Sequence, residues 1–239
     1  MVNMPDTSSA KPLYKQLEDA LRESILRGEY KQGQKIPTES ELSDSWKVSR
    51  VTVRKALDAL TRENILTRVS GKGTFVSGEK FQRNITGVIS FSELCRSQGR
   101  TPGARTIKSV FENCDSETHN KLNIKKNEKA VVIERIRYAD DIAVSLETVW
   151  FAPKFADLLN QDLNNQSLYD ILRDKYQLHF TNSKKTIELV YANLDIAHYL
   201  SIANHYPLIS IKSDMLDSKG KIICISHQLI VGDKLKFTV

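Results

Sequence analysis

The chain has 239 residues, 40% hydrophobic and 27% charged, enough apolar material for two modest cores and the balance of a globular protein in water. Lys and Arg number 35 against 29 Asp and Glu, a formal +6, and a basic excess favours an anionic partner. Three scattered cysteines without a C-x-x-C, a polar start and no run of about 18 apolar residues argue against a disulfide framework, a zinc site, a secretory leader and a spanning helix.

Residues 1–10 offer nothing to bury and read as a disordered lead. A first helix begins near Pro12, with Leu13, Leu17, Leu21 and Ile25 on one face and Gly28 at its end, and reads as a support. Pro37-Thr38-Glu39-Ser40-Glu41-Leu42 then opens a second helix, because Thr38 and Glu41 form a T-x-x-E capping box. This helix runs to about Trp46, a packing residue. After Lys47-Val48 a third helix starts at Ser49, so two capped helices a few residues apart make a helix-turn-helix.

Val53, Ala56, Leu57 and Leu60 recur at helical spacing and mark the buried face of the third helix. Arg50 and Arg54 therefore share an exposed face. An arginine there can fork onto guanine, while Ser49 and Thr52 can donate to phosphate. By itself this pair reads first as a solvated basic face. Its surroundings favour the DNA reading, since Lys47 to Lys72 holds seven basic residues against two acidic. Ile65 to Val69 and Thr74 to Val76 flank the turn Ser70-Gly71-Lys72-Gly73, a hairpin whose lysine tip can enter a minor groove.

The runs P-T-E-S-E-L, S-R-V-T-V-R-K-A-L and G-K-G-T-F-V resemble the winged-helix DNA-binding domain of GntR-type bacterial transcription regulators. The resemblance implies DNA contacts at Thr38, Ser40, Ser49, Arg50, Thr52, Arg54 and Gly71; Lys72 is added on charge and position. This domain is expected over 11–76, followed by a polar linker over 77–83.

From Asn84 the pattern changes. A helix is expected from Ser92 to Gln98, a turn over Gly99 to Gly103 and a strand from Arg105 to Phe111. The clearest hairpin is Ala130 to Tyr138, turning at Ala139-Asp140-Asp141 and returning as Ile142 to Phe151. Helices follow at Phe155 to Leu159 and Ser167 to Tyr176, a strand at Thr186 to Tyr191 and a short helix at Asp195 to Leu200. A last hairpin joins Leu208 to Asp217 with Ile222 to Val231. Strands paired by hairpins with helices between them give an antiparallel α+β domain over 84–239.

Within the long hairpin, Arg135 and Arg137 point to one face of their strand, with Glu147 on the returning strand. Two guanidiniums there suit a phosphate or carboxylate between them, although the residues alone favour a solvent-facing strand with a cross-strand Arg–Glu pair. Ser90 or Ser92 can cap the following helix, and Ser167 reads as another cap with Tyr169 in its first turn.

The segments G-V-I-S-F-S-E, E-R-I-R-Y-A-D-D-I-A-V-S-L-E, S-L-Y-D-I-L and V-G-D-K-L-K-F resemble the UTRA effector-binding domain of the HutC subfamily, whose fold is similar to that of chorismate lyase. The resemblance implies effector contacts at Ser90, Ser92, Arg135, Arg137, Glu147, Ser167 and Tyr169. Where sugar-phosphate-binding members carry a glutamate and a tyrosine, this chain has Cys224 and Ile230. The anion-holding half is kept and the half that grips a sugar's hydroxyl or amine departs.

The five histidines are scattered, none at metal spacing or in a nucleophile motif. The chain is thus expected to be a cytoplasmic bacterial regulator without a cofactor. It would bind a palindromic double-stranded operator as a homodimer, associate with the nucleoid there, and be released by a small anionic effector such as a phosphorylated sugar or a carboxylate. The alternative is a chorismate-lyase-like enzyme acting on a carboxylate substrate.

Overall fold

The computed structural model describes residues 10–238 except 64, 70, 78, 79 and 126, so the expected lead lies outside it but for its last residue. The described chain falls into two units, one up to residue 77 and the other from Lys80. In the first, α1 (Leu13–Leu26), α2 (Glu39–Trp46) and α3 (Arg50–Arg62) precede β1 (Leu66–Val69) and β2 (Gly73–Val76). The two strands pair antiparallel with Leu66 opposite Val76.

The capping box forms as read: Glu41 N–H donates to Thr38 Oγ1 at 3.3 Å, and Thr38 N–H donates to Glu41 Oε2 at 2.7 Å. Helix α2 stops where Lys47 turns left-handed at φ 52°, and Ser49 starts α3 by accepting from Thr52 N–H at 3.1 Å. These local signals aim three apolar faces at one another. Leu17 and Leu21, Leu42 and Trp46, and Val53, Ala56, Leu57 and Leu60 bury together under Ile36, Leu66 and Val76. Cutting one such leucine to alanine costs about 2–5 kcal/mol, so this core fixes how α3 is presented.

The second unit contains β3 (Phe81–Asn84), α4 (Phe91–Ser97), β4 (Pro102–Glu112), α5 (Ser116–Leu122), β5 (Ala130–Ala139), β6 (Ile142–Phe151), a 3₁₀ helix (Pro153–Asn160), α6 (Leu168–Tyr176), β7 (Asn182–Tyr191), α7 (Leu194–Leu200), β8 (Pro207–Leu216), β9 (Ile222–Val231) and β10 (Leu235–Thr238). Six strands form an antiparallel sheet in the order β4-β5-β6-β9-β8-β7, and β10 pairs separately and in parallel with β3. One sheet face packs Val131, Ile133, Phe151 and Met215 against Phe155, Leu158, Leu168 and Leu172. The opposite face packs Ile136, Leu146 and Leu208 against Ala197 and Leu200 of α7.

Three expectations need correction. The polar stretch 77–83, read as linker, is strand from Phe81 onward, because Phe81 is buried and pairs with Leu235 far along the chain. The turn expected over Gly99 to Gly103 gives way early, as Pro102 already opposes Ala139 in the sheet. The helix expected from Ser92 starts at Phe91, because Ser90 is its cap, its Oγ accepting from Glu93 N–H at 3.1 Å.

Candidate DNA-reading surface and effector site

On the first unit, Arg50 and Arg54 leave the exposed face of α3 and reach back to α2. Arg50 Nη2 donates to Ser40 Oγ at 3.0 Å, and Arg54 Nη2 pairs with Glu39 Oε2 at the same distance. Arg68 of β1 reaches Glu39 at 3.3 Å and Asp58 at 2.9 Å. Its hydrogen bond from Arg54 holds the Glu39 carboxyl below its ordinary range. Two helices and a strand thus set the directions of three guanidiniums without burying them: Arg54 keeps 61% of its side chain exposed. Beside them Val51 is 65% exposed, an apolar side chain on a reading face with nothing of its own to cover it.

Ser49 Oγ and Thr52 Oγ1 lie 2.9 Å apart at the start of α3, and Thr38 starts α2. In the turn of the β1–β2 hairpin Gly71 is left-handed at φ 72°, beside Lys72. Gly73 sits at φ 120°, a conformation that strains any side chain, and a Cβ there would also displace the end of Lys35, whose Cε would be 2.6 Å away. The sequence expectation counted Arg68 only in the basic cluster and did not single out Val51: no periodic signal separates an exposed valine on this helix face from one turned inward.

In the second unit the register places Arg135 opposite Glu147, and Glu147 opposite Gln228, in one row across β5, β6 and β9. Along β5 the same face is apolar at Val131 and Ile133 and cationic at Arg135 and Arg137. The solvent-facing alternative fails, since Arg135 is 1%, Arg137 3% and Glu147 3% exposed. Arg135 Nη2 donates to Glu147 Oε2 at 2.6 Å, and Arg137 Nη1 lies 3.6 Å from the same oxygen. Arg135 Nη1 also donates to the Gln166 carbonyl at 3.1 Å, and Arg137 Nη2 to Ser92 Oγ at 3.0 Å. The Arg137 guanidinium stands 4.9 Å over the Phe91 ring.

Burial pushes the Glu147 carboxyl up, but the opposing charges of Arg135 and Arg137 outweigh it and hold the group below its ordinary value. Burial, and then the Arg135 charge, lower Arg137 to about 10. The Nε atoms of Arg135 and Arg137 are buried without a hydrogen-bond partner. Buried donors in that condition carry an unmet demand for an acceptor.

The fold joins Ser92, Arg135, Arg137 and Glu147 directly. Ser90 and Ser167 are buried caps of α4 and α6, Ser167 accepting from Asp170 N–H at 3.2 Å. The Tyr169 hydroxyl is 3.7 Å from Met215 Sδ, and burial drives its pKa up. Cys224 and Ile230 are buried on β9, so neither offers a hydroxyl or carboxylate to the cluster.

Two further polar groups escaped the sequence expectation. Gln228 accepts from Arg83 Nη1 at 2.6 Å and donates to Glu147 Oε1 at 3.3 Å. Gln228 was legible in principle, alternating with Ser226 and Ile230 on one face of its strand. Arg83 was not, because its strand is made by a pairing about 150 residues away. Among the described residues no group of three or more His, Cys, Asp or Glu could hold a metal, and no helix is long and apolar enough to cross a membrane.

A winged helix-turn-helix presenting arginines, joined in one chain to an α+β unit with a buried cationic cluster, defines a ligand-responsive DNA-binding transcription regulator. The bacterial regulatory protein gntR family matches residues 13–76, and the UTRA domain matches residues 97–236. The chain belongs to the GntR family, in its UTRA-bearing HutC-type branch. It is 31% identical over 237 residues, 99% of this chain and 98% of the relative, to the uncharacterized HTH-type transcriptional regulator YurK of Bacillus subtilis (strain 168). It is also 31% identical over 232 residues, 96% of this chain and 95% of the relative, to the mannosyl-D-glycerate transport/metabolism system repressor MngR of Escherichia coli (strain K12). The crystal structure of PhnF from Mycobacterium smegmatis superposes with a TM-score of 0.65 at 25% identity, covering 92% of this chain and 96% of that one. Membership in a family of regulators replaces the lyase-like enzyme alternative.

Proposed function

We propose that the protein is a homodimeric repressor that leaves a palindromic operator when a phosphorylated sugar enters the second unit. The observation that carries the effector half is the pair of buried arginines sharing one carboxylate, each with an Nε that lacks an acceptor. A phosphate supplies several acceptors at once and fits the guanidinium fork. Ser90, Ser92, Ser167 and Tyr169 surround the anion, and Glu147, held between the two arginines and Gln228, lines the same site. A relative whose name ties it to mannosyl-D-glycerate supports a sugar derivative as the class.

On the DNA half, Arg50 and Arg54 read base edges. Ser49, Thr52, Thr38 and Ser40 meet phosphates, and Gly71 with Lys72 approaches the minor groove. Val51 is suited to a thymine methyl. Dimerisation is supported by β7, the outer strand of the sheet, which exposes Ile187, Leu189 and Tyr191 at 41, 57 and 62% along alternate positions. An apolar row on an open edge invites a partner strand or face, and a two-fold partner matches a palindrome.

The test is operator binding by fluorescence anisotropy with a panel of sugar phosphates, alongside sedimentation to give the oligomeric state. Release by at least one phosphorylated sugar and not by its dephosphorylated form is expected. Retention of DNA with every phosphorylated compound defeats the reading.

A further inference from the structure

We infer that Arg83 and Lys185 form a second anion-binding corner beside the Arg135–Arg137 pair, so that the effector carries two acidic groups, a phosphate and a carboxylate. The inference rests on the effector reading above and goes beyond it by naming the second group.

Arg83 rises from β3 toward the same row. Its Nη1 donates to Gln228 Oε1 at 2.6 Å, and the amide nitrogen of Gln228 faces Glu147 Oε1 at 3.3 Å. Gln228 therefore separates Arg83 from the carboxylate that the other two arginines already share. Lys185 projects from β7, and its Nζ donates to the carbonyls of Ile85 and Gly87 at 2.8 and 3.2 Å. Those carbonyls belong to the segment directly after Arg83, and the ammonium lies close enough to feel the Arg83 charge.

Burial and then the charge of Arg83 lower Lys185, and burial lowers Arg83. Among the described residues neither has a carboxylate within ion-pair reach; a neutral amide and two carbonyls are their partners. Half-buried cations with neutral dipoles as their hydrogen-bond partners repel one another, and an anion relieves the repulsion.

Formal charge sets the ligand class. Arg83, Arg135, Arg137 and Lys185 stand against Glu147 alone, a net +3. A phosphate dianion held by Arg135 and Arg137 brings the net +3 down to +1. It leaves the Arg83 and Lys185 end unmatched. One carboxylate at that end brings the ligand to −3 and fits the planar fork of Arg83. The absence of a polar side chain at Cys224 and Ile230 fits this division. Specificity is then read at the two charged ends of the ligand.

The full-length protein is titrated calorimetrically with glucitol 6-phosphate and with 6-phosphogluconate, two open-chain compounds that differ only in the carboxylate at C1. One extra charge-assisted hydrogen bond predicts that 6-phosphogluconate binds about tenfold more tightly. Arg83→Gln should erase that preference, bringing the affinities for the two compounds to within about twofold of each other, a difference well under one hydrogen bond. Arg83→Lys, which keeps the charge, should retain most of the preference and controls for folding, checked by thermal melting.

Equal wild-type affinity for the two compounds, binding of neither at millimolar concentration, or a preference that survives Arg83→Gln overturns the second corner. Arg135→Ala distinguishes the underlying reading. If it binds both compounds as wild type does, the phosphate assignment fails, whatever Arg83 does.

Discussion

Arg135 and Glu147 face each other directly across the β5–β6 ladder, Nη2 to Oε2 at 2.6 Å, with both side chains almost wholly withdrawn from water. A buried pair of this kind is weak evidence for stability, since desolvation cancels much of the attraction. What singles this pair out is Arg137, 3.6 Å from the same carboxylate oxygen. One acid serving two guanidiniums leaves positive charge over, and that surplus is chemically useful only to an incoming anion.

The proposed effector site and the proposed reading surface lie in different units, so they separate by mutation. Arg135→Ala should bind operator as wild type does and fail to release it. An effector expels DNA only by binding the DNA-free conformation more tightly, and the lost anchor removes that difference. A charge-assisted bond of about 1.5–3 kcal/mol corresponds to a roughly ten- to hundredfold loss of effector affinity. Effector titration into the mutant–operator complex checks this, and release at wild-type concentrations would assign the arginines to an internal ion pair.

Arg50→Ala and Arg54→Ala should each lower the ratio of operator to random-duplex affinity by roughly five- to a hundredfold, the discrimination of one bidentate base contact. Melting temperatures should hardly move, because these side chains are exposed and, among the described residues, their hydrogen bonds and ion pairs run to Ser40 and Glu39. Affinities for both duplexes at one fixed salt concentration decide it. An unchanged ratio in both variants would leave α3 a basic face without base contacts.

Lys72→Ala should weaken operator and random DNA alike and lower the slope of log affinity against log salt by about one, as expected for a lost phosphate contact. A variant that discriminates less at an unchanged slope would show a lysine reading bases.

The elements legible in the sequence are those whose causes are local. Thr38 with Glu41 and Ser49 with Thr52 close caps within four residues, and the turn at Asp140 and Asp141 uses two left-handed residues, φ 49° and 67°, that aspartate tolerates. Arg135 and Arg137 were found because strand alternation needs only the strand itself. Helix α5 was not found, since it buries only Thr118 and Leu122 and so shows no apolar period. Arg83 escaped for the converse reason: its neighbours in space, Gln228 and Lys185, are more than 100 residues away. Polarity next to a turn then looked like a linker.

Glu147→Gln tests the surplus-charge argument without knowledge of the effector. With the carboxylate gone, Arg135 and Arg137 stay buried beside a neutral amide, and removing one partner of a buried charge pair costs about 3–5 kcal/mol. The pH dependence has a definite sign. The Glu147 carboxyl is held below its ordinary value in the folded protein. Its contribution is therefore present above the ordinary carboxylate range and lost as pH falls through the folded value. The gap in melting temperature between wild type and variant should accordingly be widest near neutrality and close at acid pH. Inorganic phosphate should raise the melting temperature of the variant more than that of the wild type, because the variant has two guanidiniums to satisfy where the wild type has about one in excess. A variant as stable as wild type at neutral pH, and indifferent to phosphate, would show that water already satisfies the arginines. The anion would then have to be sought elsewhere on the sheet.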